Sequence, residues 1–174
     1  MDSTMDALTR QAYATPAVRA NLVNSGMISL YCDYSGSEQH VHAVACTFVF
    51  NRSLRVQAKR LEYDYALGSD YGELQAVHFS LEWLARALTE EQLRPKPKSA
   101  VVFTDCHAIE RLLTKAYFAD ARYAVVRDDI HAILERLGTL RPDMEIRIKH
   151  MHRHKTNNAL HRMAHNAARN CIGK

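Results

Sequence analysis

The chain has 174 residues, 47% hydrophobic and 24% charged, which suits one globular domain able to bury roughly 70% of its unfolded surface. Its net charge of +4 is uneven: from residue 141 onward eight Lys or Arg face only Asp143 and Glu145, a net of +6 that leaves −2 for the first 140 residues. These figures exclude a uniformly basic nucleic-acid coat, and no apolar run approaches the roughly 18 residues of a membrane span. The start lacks the basic-then-apolar order of a secretory signal. Four scattered cysteines (32, 46, 106 and 171) make neither a zinc pair nor a disulfide framework. The expectation is a cytoplasmic protein with no membrane partner and small buried thiols.

Residues 4–24 predict one or two short helices interrupted near Pro16, and Asn24-Ser25-Gly26 punctuates their end. This makes 1–26 a helical or flexible appendage, a possible dock for a protein partner, ahead of a domain over 27–174. MISLYCDY is an apolar, β-branched run that reaches Asp33 before the turn residues Ser35-Gly36-Ser37. Residues 40–50 and 54–63 alternate as two further strands around the turn Asn51-Arg52-Ser53, so the first three strands form an antiparallel meander. From Tyr71 to about Leu88 the apolar spacing lengthens to that of a helix, with Ser69 or Asp70 as cap and Glu73 in the first turn. Trp83 falls on its inner arc, a core position.

After the breaker Arg94-Pro95-Lys96-Pro97-Lys98, SAVVFTD (99–105) is a short strand ending in an aspartate. Helical spacing follows at about 106–117 and 122–138, with Gly138 as a stop. Residues 144–149 alternate strictly, and a last helix runs from Thr156 or Asn157 to about Cys171. The order βββ-α-β-α-α-β-α predicts an α/β fold: a five-stranded mixed sheet flanked by helices.

The helix after the meander supplies a crossover, so the first and fourth strands can be parallel neighbours with Asp33 and Asp105 side by side. Glu73 can reach the same edge. Clustered carboxylates hold divalent ions such as Mg²⁺, and a pair of ions promotes phosphodiester cleavage. Singly, each residue has a plainer use. An aspartate after a strand forms turns or caps, and a glutamate near a helix start favours the dipole.

Three segments, LYCDYSGS (30–37), SDYGELQAV (69–77) and VVFTDCHAI (101–109), together with HRHKTNNALHRMAHNAAR (152–169), resemble the motifs of ribonuclease H type 1 in their family order. The resemblance covers about 27–171. It implies a ribonuclease H-like fold and a nuclease that hydrolyses the RNA strand of RNA–DNA hybrids, leaving a 5′-phosphate and a 3′-hydroxyl. It also implies two Mg²⁺ or Mn²⁺ ions held by Asp33, Glu73 and Asp105, with Asp33 bridging them.

Departures from the family bear on chemistry and substrate. The fourth carboxylate of the family falls four residues after Asn157, where this chain has His161. A neutral imidazole there completes the second ion's site and suits Mn²⁺ better than Mg²⁺; otherwise His161 is an ordinary helical residue and that site is lost. His152 and His154 precede the last helix, where the family has a histidine assisting proton transfer or product release. Their spacing does not select one of them, and a solvated basic loop is the other reading.

Ser69-Asp70-Tyr71-Gly72 stands where the family has a Thr-Asn-Asn-like run that contacts the RNA strand. Ser69 is a contact candidate, whereas Asp70 repels phosphate, and Tyr71 either stacks on nucleic acid or packs. Tyr34 replaces a glycine, and 117–123 carries no lysine-rich protrusion. Arg147, Lys149, Arg153, Lys155 and Asn157 offer phosphate contacts in its place. Two other functions fit these departures: a nuclease for DNA junctions or other structures, and a non-catalytic nucleic-acid- or protein-binding module on a decayed nuclease scaffold.

Overall fold

A computed structural model describes residues 3–63, 67–151 and 158–174. Helices α1 (Ser3–Ala14) and α2 (Pro16–Val23) lead into the meander β1 (Met27–Gly36), β2 (His42–Phe50) and β3 (Ser53–Arg60). Helix α3 (Ser69–Glu90), strand β4 (Ser99–Thr104), helices α4 (Ile109–Thr114) and α5 (Ala121–Leu140), strand β5 (Glu145–His150) and helix α6 (Ala159–Cys171) follow. The sheet order is β3-β2-β1-β4-β5, antiparallel within the meander and parallel at β1–β4 and β4–β5. The expected mixed sheet is therefore present. Among the described residues no helix is long and apolar enough to cross a membrane.

Strand alternation divides the molecule into three layers. Ile28, Leu30 and Cys32 of β1 face α3, α4 and α5, in a core that includes Leu74, Trp83, Ile130 and Leu137. The intervening Tyr31 faces the other way, into a second cluster where Leu8, Ala12, Val18 and Leu22 meet Leu160 and Met163 of α6. The first two helices thus turn their apolar side onto the sheet and α6. Backbone bonds from Arg52 N to Leu22 O (2.8 Å) and Asn51 N to Asn24 O (3.0 Å) tie α2 to the β2–β3 turn. Asn51 and Arg52 both have positive φ there, the conformation of a two-residue hairpin.

Some boundaries shift for local reasons. Helix α3 begins at Ser69 and its cap is Gly68, with φ 84° and no side-chain bond, so neither Ser69 nor Asp70 caps it. Glu73 consequently lies in the second turn, not the first. The helix expected over 106–117 shrinks to α4, because residues 106–108 form the exit turn of β4, fixed by Cys106 N–H donating to Thr104 Oγ1 (3.1 Å). Cys32, Cys46 and Cys106 are buried free thiols, while Cys171 is partly exposed.

Tyr34 lies over Gly72: a Cβ added there would come within 2.4 Å of the Tyr34 ring. The bulky residue after Asp33 is accommodated because the first turn of α3 has no side chain at this point. Gly72→Ala is expected to destabilise the protein by about 1–3 kcal/mol, and Tyr34→Ala in the same chain to relieve most of that loss. Urea unfolding of both single variants and the double variant checks the coupling.

Candidate metal centre

Asp33 is the seventh residue of β1, and its side chain shares the α6 face of the sheet with Tyr31. Its register partner on β2 is Ala45. The small Ala45 packs with Ala164 and Ala168 of α6, so helix and sheet approach closely. Thr47 Oγ1 donates to the Leu160 carbonyl (2.8 Å), anchoring the first turn of the helix. Asn158 caps α6, its side-chain oxygen accepting from His161 N–H (3.1 Å). These contacts set His161 directly over Asp33. Ala164→Leu should lift α6 and destabilise the fold by about 1–3 kcal/mol, read by urea unfolding.

One ligand atom each from Asp33, Asp105 and His161 lies within 4.8 Å of the others. Asp105 follows the end of β4, beside β1, and is half-buried. The side chains of Asp33 and His161 are each only 4% exposed, with His161 Nε2 3.5 Å from Asp33 Oδ1. That nitrogen is buried with no hydrogen-bond partner. A buried imidazole nitrogen without a hydrogen bond, grouped with two carboxylates, suits a cation between them, since burying an unsatisfied polar atom is otherwise costly. Two oxygen donors with one nitrogen fit Mn²⁺ or a neighbouring transition ion better than Mg²⁺.

Glu73 is buried at 8% exposure and stands outside this three-residue group. It nevertheless approaches the same edge. Burial pushes the Cys32 thiol well above its ordinary range, and the charges of Glu73, Cys46, Asp33 and Asp105 add to the shift. A single thiol beneath β1 thus feels all three carboxylates.

His165 was not among the residues singled out from the sequence. One helical turn beyond His161, its Nδ1 lies 2.8 Å from Asp33 Oδ2. A carboxylate can only accept, so the imidazole N–H donates. The signal in the sequence was the four-residue spacing from His161, which puts both rings on one helix face.

The remaining candidates are distributed around the edge. Ser69 is exposed at the start of α3. Tyr71 is 4% exposed and packs edge-on to Tyr63 (5.4 Å) and tilted against Tyr123 (5.2 Å), so the packing alternative describes its place. Arg147 and Lys149 are exposed on β5, and Arg147 pairs with Glu145 at 3.3 Å. His152, Arg153, His154, Lys155 and Asn157 lie outside the described residues.

No protein-family model matches the chain, and no curated protein sequence does. Solved structures match it across most of its length. The N-terminal RNase H domain of a Mycobacterium tuberculosis protein, solved as a fusion with maltose-binding protein, gives a TM-score of 0.59 at 10% identity. That match covers 85% of this chain and 97% of the other. RNase H1 from the halophilic archaeon Halobacterium salinarum gives 0.56 at 19% identity, covering 82% and 97%. The fold is that of ribonuclease H.

A third match, LC11-RNase H1 from a compost metagenome, gives 0.57 at 15% identity over 85% of this chain and 99% of that one. The same protein has also been solved with an RNA/DNA hybrid, and that structure matches at 0.51 and 11% identity, covering 84% and 99%. The ribonuclease H fold accounts for the parallel β1–β4 pair that sets Asp33 beside Asp105. On this fold the chain carries a three-residue group with the composition of a metal site.

Proposed function

We propose that the protein is a divalent-metal-dependent endonuclease that hydrolyses the RNA strand of RNA–DNA hybrids. The observation that supports this most is the meeting of Asp33, Asp105 and the buried, unbonded Nε2 of His161 at one edge of a ribonuclease H fold. The likeness to LC11-RNase H1, which has been solved with an RNA/DNA hybrid, supports the substrate.

Asp33, Asp105 and His161 hold the ion, Mn²⁺ in preference to Mg²⁺. When bound, the ion supplies positive charge to a phosphodiester undergoing in-line attack by water. Asp33 and Asp105 exclude a wrongly placed phosphate when no cation is present, since like charges repel. Glu73 adds negative charge from the α3 side, strengthening the pull on a cation. Lys149, Arg147 and, outside the described residues, Arg153 and Lys155 draw the nucleic-acid backbone toward the edge, a contribution that falls with salt. His152 or His154 assists proton transfer there.

The test uses purified protein with labelled hybrid, duplex RNA, duplex DNA and a four-way DNA junction, each with Mg²⁺ or Mn²⁺. The expected result is cutting of the RNA strand of the hybrid, leaving a 5′-phosphate and a 3′-hydroxyl. Preference for the junction overturns the substrate. Failure to cut any of the four overturns the activity and favours a binding module.

A further inference from the structure

Asp33 has two oxygens, and they face different partners. Oδ1 lies 3.5 Å from the buried Nε2 of His161, inside the group that includes Asp105. Oδ2 accepts a hydrogen bond from His165 Nδ1 at 2.8 Å. A carboxylate that bridges two ions through separate oxygens turns one oxygen to each ion. Here the outer one is already engaged by an imidazole fixed on the same helix as the inner ligand.

Packing fixes the helix that carries both rings. His161 and His165 are one turn apart on α6, and Ala164, between them in sequence, is buried with Ala45 and Ala168. Neither ring can leave Asp33 by a rigid shift of the helix without opening that contact. A side-chain partner of this kind orients a ligand and raises its hold on the ion.

We propose that His165 is a positioning residue that closes Asp33 Oδ2, so that the centre takes one divalent ion, held by Asp33 Oδ1, Asp105 and His161. This rests on the metal-centre reading above and departs from the two-ion site implied by the family resemblance. His161 Nε2, buried and without a hydrogen bond, faces the same space as Asp33 Oδ1 and points to an ion there. His165 itself is 47% exposed and makes no part of the core, so its replacement leaves the fold intact.

The test is calorimetric titration of the full chain with MnCl₂ alone, together with the electron paramagnetic resonance spectrum of the complex. One Mn²⁺ per chain, with the spectrum of an isolated ion, is expected. His165→Ala should weaken binding about 10- to 100-fold with an unchanged thermal melt of the metal-free protein. His165→Asn, whose amide N–H can donate to the same oxygen, should recover most of the loss. Two ions per wild-type chain, a spin-coupled spectrum, an Ala variant as tight as wild type, or an Asn variant no better than Ala each overturns the proposal. Because no substrate is present, the outcomes separate from those of the cleavage assay. One bound ion without cutting removes the nuclease function alone, and hybrid cutting with two bound ions removes this inference alone. Absence of Mn²⁺ binding removes both.

Discussion

Asp33→Asn is expected to lower hybrid cutting by roughly 10²- to 10³-fold, a loss of the size seen when one group that stabilises transition-state charge is removed. Asp33 is where the site's contacts converge. It lies on β1 between the parallel β4 and the antiparallel β2, at 3% exposure, with His161 on one oxygen and His165 on the other. Asparagine keeps the shape and one oxygen but removes the charge, so the fold is preserved while the cation loses its central ligand. Single-turnover cleavage of labelled hybrid reads the effect, and a thermal melt confirms folding. A variant that cuts within about tenfold of wild type would remove Asp33 from the mechanism.

His161→Asp should reverse the choice of ion. With an imidazole in the donor set the wild-type protein is expected to work better with Mn²⁺ than with Mg²⁺ by about tenfold or more, because nitrogen ligands favour transition ions. Replacing the ring by a carboxylate gives an all-oxygen set, which Mg²⁺ accepts through direct and water-mediated bonds. The rate ratio in the two ions at matched concentration should therefore fall toward one or below. An unchanged ratio would mean that His161 Nε2, though buried and unbonded, does not meet the ion. Asp105→Asn serves as the comparison, since it removes an oxygen charge and should weaken both ions alike.

The legible parts of this protein were those with a local cause. The apolar run to Asp33 and the exit from SAVVFT place Asp33 and Asp105 on neighbouring strands, although β1 continues through Ser35 and Gly36, which pair with Ala43 and His42 instead of forming the expected turn. The helical spacing between them supplies the crossover, so the parallel β1–β4 pair follows from handedness and chain length. Glu73 could be assigned to α3, but its depth could not. The helix begins at Ser69 behind its cap Gly68, so Glu73 falls in the second turn, and it stands outside the group of Asp33, Asp105 and His161.

His165 was missed because its role is tertiary. Nothing near it in sequence shows that Ala45, Ala164 and Ala168 let α6 settle onto the strand that carries Asp33. The fate of the first two helices was hidden for the same reason. Leu8, Ala12, Val18 and Leu22 acquire partners only in the folded molecule, from Tyr31 and Val49 of the sheet and Leu160 and Met163 of α6. Tyr71 read equally as a stacking or a packing residue, and the aromatic contacts of Tyr63 and Tyr123 fill its surroundings.

A crystal grown with MnCl₂ and measured at a wavelength where manganese scatters anomalously shows whether Asp33, Asp105 and His161 hold an ion together. One strong anomalous peak is expected within bonding distance of Asp33 Oδ1, an Asp105 oxygen and His161 Nε2, with His165 still on Asp33 Oδ2. No peak among these three residues, or a peak held by other groups while the three stay apart, would contradict the metal centre.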